Sequence, residues 1–198
     1  MFRSLNPGTL LCPVPAVMVS CARAGEKPNI ITIAWAGTVC SQPPMVSISV
    51  RKERFSHPIL METGEFVVNL VGRGQLAAAD HCGVRSGRDE DKFAACRLTP
   101  AAVPELAHAP AIAECPLYLA CKTRQVIKLG SHDLFLAEVV GVGAQEELVD
   151  AAGRLDLKKA DLVAYSHGVY QSLGEALGFF GFSVAAPDVY ARRMEELR

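Results

Sequence analysis

Six consecutive residues, Arg51-Lys52-Glu53-Arg54-Phe55-Ser56, concentrate more usable chemistry than any other stretch of the chain. A strand delivers two adjacent cations, Arg51 and Lys52, into a turn, and a helix is predicted to begin at Ser56. Backbone N–H groups at a helix start favour an anion, a hydroxyl there can donate to it, and a guanidinium can grip phosphate oxygens with two parallel bonds. Where these groups converge they form a compact phosphate site. Splayed apart, the same residues would be a solvated strand end whose charges keep an edge soluble.

Other chemistry is thinner. His57, His81, His108, His132 and His167 are scattered, and no nucleophile–base–acid constellation assembles around them. Seven cysteines, an odd number, exclude a fully paired disulfide framework within one chain. Cys12, Cys21, Cys40, Cys82, Cys96, Cys115 and Cys121 include no C-x-x-C pair, and His81-Cys82 lacks clustered partners, so no metal site is expected. Reduced, buried thiols in a reducing compartment are the plain reading. Cys82 stands apart, because nearby Arg85 and Arg88 could lower its pKa and make it a nucleophile. Gly72-Arg73-Gly74-Gln75-Leu76-Ala77 fits the G-x-G-x-x-A dinucleotide pattern, with Asp91 spaced as a ribose partner. A polar, turn-like run from Cys82 to Asp89 occupies the place of the parallel strand that motif requires. Two loop glycines are the better account.

The positioning elements read mainly as strands. Val46, Ile48 and Val50 alternate with Ser47, Ser49 and Arg51, giving one apolar and one polar face. Asn29 to Ala36, continuing through Thr38-Val39-Cys40, is β-branched-rich; Val14 to Cys21 and Glu65 to Val71 read likewise. Pro116 to Lys128 and Asp133 to Val142 flank Leu129-Gly130-Ser131-His132, a hairpin signal. Six strands joined mostly by short turns predict an antiparallel barrel rather than a doubly wound sheet. Short helices are predicted from Ser56 as N-cap to a stop at Gly64, over Gln75 to His81, and from Asp188 to Arg198.

Composition narrows the class. The 198 residues are 50% hydrophobic, and 20 basic against 21 acidic side chains leave a formal charge of −1. That balance argues against a nucleic-acid partner. No run approaches the roughly 18 to 20 apolar residues of a membrane span. Pro7, Gly8, Pro13 and Pro15 break any leader-like start, so a cytoplasmic protein is expected. Without internal repeats or a dividing linker, one domain over residues 1–198 is expected, its core about 10–185.

Several blocks carry a resemblance. Asn29-Ile-Ile-Thr32-Ile-Ala-Trp35-Ala-Gly-Thr38, Pro43-Pro44-Met45-Val-Ser-Ile-Ser49-Val-Arg51-Lys52 and Glu62-Thr-Gly64-Glu-Phe-Val-Val-Asn69-Leu resemble the flavin reductase-like family, flavoredoxins above all. Ser86 to Phe93, Gly130 to Val139 and Tyr165-Ser-His167-Gly-Val-Tyr170 are similar to its later blocks. The resemblance implies an FMN-binding split β-barrel, Greek-key-like with a few short helices, working as a homodimer with FMN near the interface. It implies that Thr32, Ile33, Ala34, Trp35, Ala36, Gly37 and Thr38 lie along the flavin ring and ribityl chain, with Asn29 beside them. Ser49, Val50, Arg51, Lys52 and Ser56 would surround the phosphate, with Asn69 and the loop from Cys82 to Lys92 near the cofactor and Lys92 a second phosphate cation. Trp35 could instead be plain core. His132 matches the position that approaches the nicotinamide in relatives using NADH or NADPH, although Ser131 stands where many of them carry Asp. The implied function is an FMN oxidoreductase taking electrons from NAD(P)H or a redox partner protein. The alternatives are a non-catalytic flavin- or haem-binding split barrel that stores or senses its cofactor, and a cofactor-free structural dimer.

Overall fold

One strand closes the barrel by serving two neighbours. In the computed structural model, which describes residues 1–197, the chain begins with β1 (Val14–Pro15), β2 (Val17–Cys21), β3 (Asn29–Ile33), β4 (Ala36–Ser41) and β5 (Pro44–Arg51). Then come α1 (Ser56–Thr63), β6 (Glu65–Leu70), α2 (Leu76–Val84), α3 (Lys92–Ala95), β7 (Pro100–Ala101) and β8 (Ala111–Ile112). The long hairpin β9 (Leu117–Lys128) and β10 (His132–Ala144) precedes β11 (Val163–Ser166), β12 (Val169–Ser172) and α4 (Pro187–Glu196). The main sheet is antiparallel in the order β3-β2-β6-β9-β10-β5-β4. β3 and β4 are one run of chain bent at Ala34-Trp35. Its first half pairs with β2, its second with β5, and the Ser49 N–H bonds the Trp35 carbonyl at 2.9 Å. The six predicted strands therefore form a closed barrel, and closure removes the exposed edges of an open sheet.

Period-2 alternation decides what fills it. Val46, Ile48 and Val50 of β5 point inward with Val17, Val19, Ile31, Ile33, Phe66, Val68 and Phe135. β2 is buried along its whole length because its other face, with Ala16 and Met18, packs on Ala79 and Cys82 of α2 and on Phe93 of α3. That second layer explains why Val14 to Cys21 is not one strand. Val14 and Pro15 leave the barrel to pair with β11, while Val17 onward pairs with β3 and β6.

Helix ends follow local chemistry. α1 stops at Gly64, whose φ of 66° is the left-handed C-cap that glycine adopts cheaply. Its start differs from expectation: Phe55 holds the N-cap position without a side-chain bond, and Ser56 is the first helical residue, buried. Gly72 is close-packed rather than part of a nucleotide loop, since a Cβ there would lie 2.8 Å from the Ala160 carbonyl oxygen where the chain bridges to Leu162. Among the described residues, no parallel strand follows α2, and Asp91 caps α3 by accepting from the Ala94 N–H. α4 covers the predicted terminal helix as far as Glu196, and Arg198 lies outside the described residues. Among the described residues, no helix is long and apolar enough to cross a membrane.

Candidate functional site

Two hollows meet beside the bend in the shared strand. The larger, about 630 Å³, is lined by Thr32, Ile33, Ala34 and Trp35, by Ser49, Val50 and Arg51, and by His132. The smaller, about 340 Å³, is lined by Asn29, Ser56 and Lys92 together with Arg54, Arg85, Ser86, Gly87 and Arg88. Ile31, Arg51 and Arg54 belong to both, so they form one continuous cleft. Its size is within the range of small-molecule sites.

Strand register aims its first wall. His132 is the cross-strand partner of Arg51, so the two side chains share a face of the sheet. The His132 ring lies 4.5 Å from that of Trp35, centroid to centroid and tilted by 48°, and its Nδ1 is 2.8 Å from the Ser131 hydroxyl. Burial holds its pKa below the ordinary histidine value, and the Arg51 charge adds to that. Trp35 is 43% exposed, which makes it a wall of the cleft rather than core. Asp80, Tyr165, His167 and Tyr170 also line the larger hollow. There the Tyr170 hydroxyl donates to Asp80 at 3.3 Å and the two tyrosine rings meet edge to face.

The smaller hollow is cationic. Arg51 is exposed and lies 3.3 Å from Glu53. Among the described residues, Arg54, Arg85 and Arg88 have no carboxylate within ion-pair distance. Lys92 is 3% exposed, and its ammonium donates to the carbonyls of Ile30 at 2.8 Å and Cys82 at 2.9 Å. A lysine carries three N–H groups, so one remains for the hollow. Burial lowers the Lys92 pKa, and the Arg54 charge adds to that. The floor is preset: Asn29 donates to Ser56 Oγ at 2.7 Å, and Gly87 presses so closely that a Cβ there would lie 2.1 Å from Asn29 Oδ1.

Other expected site residues lie elsewhere. Lys52 sits 3.5 Å from Asp133, which also binds the His57 ring at 2.9 Å. Asp133 pairs with Val50 across the strands, so this cluster takes the face opposite Arg51. Asn69 is fully buried, donating to the Met18 carbonyl and Ser20 and accepting from the Ile112 N–H, and so ties β6 to β2 and β8. Cys82 is fully buried with its thiol pushed up to about 12 by burial, which removes it as a cleft nucleophile. Ala36, Gly37 and Thr38 are on β4 beyond the bend, outside both linings. Thr32 lines the cleft, but its hydroxyl is committed to the Ala79 carbonyl. Sequence reasoning missed Arg54, Asp80, Tyr165, His167 and Tyr170 as lining residues. Arg54 stood inside the cationic run, and Tyr165 to Tyr170 inside a quoted block. Among the described residues, no three His, Cys, Asp or Glu side chains gather as a metal site.

The architecture is a split β-barrel whose cleft is aromatic at one end and cationic at the other. Residues 10–174 match the flavin reductase like domain, and the chain belongs to that family. It superposes on the flavoredoxin of Desulfovibrio vulgaris (Miyazaki F) with a TM-score of 0.85 and 33% identity, covering 93% of this chain and 99% of that one. The reductase component of a Rhodococcus opacus 4-nitrophenol 4-monooxygenase/4-nitrocatechol 2-monooxygenase is 32% identical over 55% of this chain and 55% of its own length. An FMN reductase (NADH) of Pseudomonas syringae is 29% identical over 56% of this chain and 61% of its own. The matches thus span a little over half the length of those two proteins.

Proposed function

We propose that the chain is an FMN-binding oxidoreductase, with the flavin ring between Trp35 and the β11–β12 hairpin and the phosphate in the cationic hollow. The carrying observation is the joint between the hollows, where Arg51 and Arg54 belong to both linings. A ligand fitting such a cleft is planar at one end and anionic at the other. The donor set suits a phosphate monoester: Arg54, Arg85 and Arg88 with no carboxylate in ion-pair distance among the described residues, Arg51 beside Glu53, and a buried ammonium with an N–H to spare.

Bound FMN supplies the two-electron redox chemistry that the side chains lack. The protein binds, orients and shields. Arg51, Arg54 and Lys92 would hold the anion, with Arg85 and Arg88 beside it on their loop. Trp35 offers a flat apolar wall with its carbonyl fixed by Ser49. His132 beside it would offer its Nε2 for one hydrogen bond to a nicotinamide. A relative named as an FMN reductase (NADH) supports NADH as the electron source, with a redox partner protein as the alternative donor.

The same reading includes a homodimer in the cytoplasm. Leu173, Leu177, Phe180 and Val184, beyond β12, are exposed apolar side chains of the kind a second copy would cover. Seven free thiols accord with a reducing compartment. The test is a titration with FMN and riboflavin, followed by visible absorption. FMN is expected to bind more tightly by about 3 kcal/mol, the scale of a phosphate held by charged donors. Equal affinities, or no flavin bands with either, would overturn the assignment. Rapid mixing of the holoprotein with NADH or NADPH then separates a nicotinamide-driven enzyme from a protein fed by a partner.

A further inference from the structure

Cys82 and Cys96 stand at the two ends of one loop. Cys82 is fully buried in α2, and Cys96 follows α3 half-buried. They are 14 positions apart in sequence, yet their sulfurs are 3.9 Å apart. Among the described residues, no other two cysteines touch in this way. Between them, Arg85, Ser86, Gly87, Arg88 and Lys92 line the cationic hollow. The ends are already clasped twice: His81 meets Glu90 at 2.7 Å, and the Lys92 ammonium bonds the Cys82 carbonyl. The thiols thus sit at the base of a loop that is held in place, and a bond between them would act on that loop.

We propose that Cys82 and Cys96 are an oxidative modification site, which a peroxide converts to a disulfide that fastens the Arg85–Lys92 loop and alters its hold on phosphate. The phosphate half of this statement rests on the FMN reading above; the disulfide does not. Half-buried Cys96 is the entry point. Its thiolate attacks one peroxide oxygen, the O–O bond breaks, and the departing hydroxide takes up the thiol's proton as water. The Cys82 sulfur then attacks the sulfenic sulfur, and the S–O bond breaks as a second water leaves with the Cys82 proton. Two thiols and one hydrogen peroxide give one disulfide and two waters. The sulfurs must close from 3.9 Å to roughly 2.0 Å, a shift shared between two side chains and the single short turn of α3. Burial holds both thiols protonated, with each other's proximity adding for Cys82. The pair therefore stays reduced against brief exposure, and oxidation speeds up as pH rises.

The holoprotein is treated with hydrogen peroxide, digested without reductant and mapped by mass spectrometry. A Cys82–Cys96 crosslink is expected, two hydrogens lighter than the dithiol and reversed by dithiothreitol. Hydrogen exchange over residues 85–91 is expected to slow in the oxidised form, and the FMN dissociation constant to shift severalfold while that of riboflavin holds. Cys96→Ser, at a half-buried position, should fold and abolish all three responses. Sulfinic acid at Cys96 without a crosslink, or a crosslink to a different cysteine, overturns the site. A correct crosslink that leaves loop exchange and FMN affinity unchanged overturns the coupling. A correct crosslink with a slowed loop, in a chain that binds no FMN, upholds the disulfide and sinks the flavin reading instead.

Discussion

The two ends of the cleft are built in opposite ways. The cationic hollow is preset: Lys92 is anchored on two carbonyls, Asn29 is tied to Ser56, and Gly87 is packed against them with no room for a side chain. The aromatic end is open. Trp35 is 43% exposed, His132 is half-buried, and His167 stands exposed at the tip of the β11–β12 hairpin with a positive φ of 46°. A preset polar site spends little free energy on ordering when its anion arrives, so it is suited to affinity. An open aromatic wall leaves one ligand face free, so it is suited to admitting a second reactant. On the proposed reading, the cleft separates holding from reacting.

Substitutions at each end test that division. Arg51→Ala should have the largest effect, weakening FMN by about 1.5 to 3 kcal/mol while riboflavin is unaffected. Equal losses for both ligands would mean that Arg51 serves the ring end instead. His132→Ala should slow nicotinamide oxidation about tenfold, some 1.4 kcal/mol of barrier, with FMN still bound. Unchanged rates in rapid mixing would remove His132 from the reaction. Smaller still is a pH effect at the cationic end. Because the Lys92 pKa lies below the ordinary lysine value, its ammonium loses its proton at lower pH than a solvated lysine does. Deprotonation removes an attractive charge, so FMN affinity should fall as pH rises toward the ordinary lysine range. Riboflavin affinity should lack that component, and parallel pH profiles would show that Lys92 does not meet the phosphate. Lys52→Ala should be nearly silent toward FMN, within about 0.5 kcal/mol, because the side chain is exposed and turned to Asp133. A loss comparable to that of Arg51→Ala would show that Lys52 swings into the cleft.

Much of the barrel was legible from alternation. Val46, Ile48 and Val50 announced their inward face, and the Leu129 to His132 turn announced the long hairpin, because one apolar face must be buried and period 2 leaves it a single direction. The short strands β7, β8, β11 and β12 carry too few residues for a period to show. Ser56 read as an N-cap because its position in sequence suits one, but contact with Asn29 draws it into the interior. Asn69 looked like a ligand contact and lies in the core, where its amide meets backbone groups from two other strands. Those partners are more than forty positions away in sequence, beyond what local spacing can reveal.

Sequence alone determined the chemistry on offer: a cationic run at a strand end, an aromatic residue ahead of a bend, and scattered thiols without a pairing pattern. Tertiary structure decided which of those groups meet. Strand register put His132 on the face of Arg51, the turn after β5 took Lys52 to Asp133, and the loop after α2 brought Arg85, Arg88 and Lys92 to the same hollow. Two adjacent cations are equivalent by type and spacing. They part company because β5 ends at Arg51, which register sets beside His132, while Lys52, the first residue of the turn, is drawn to Asp133.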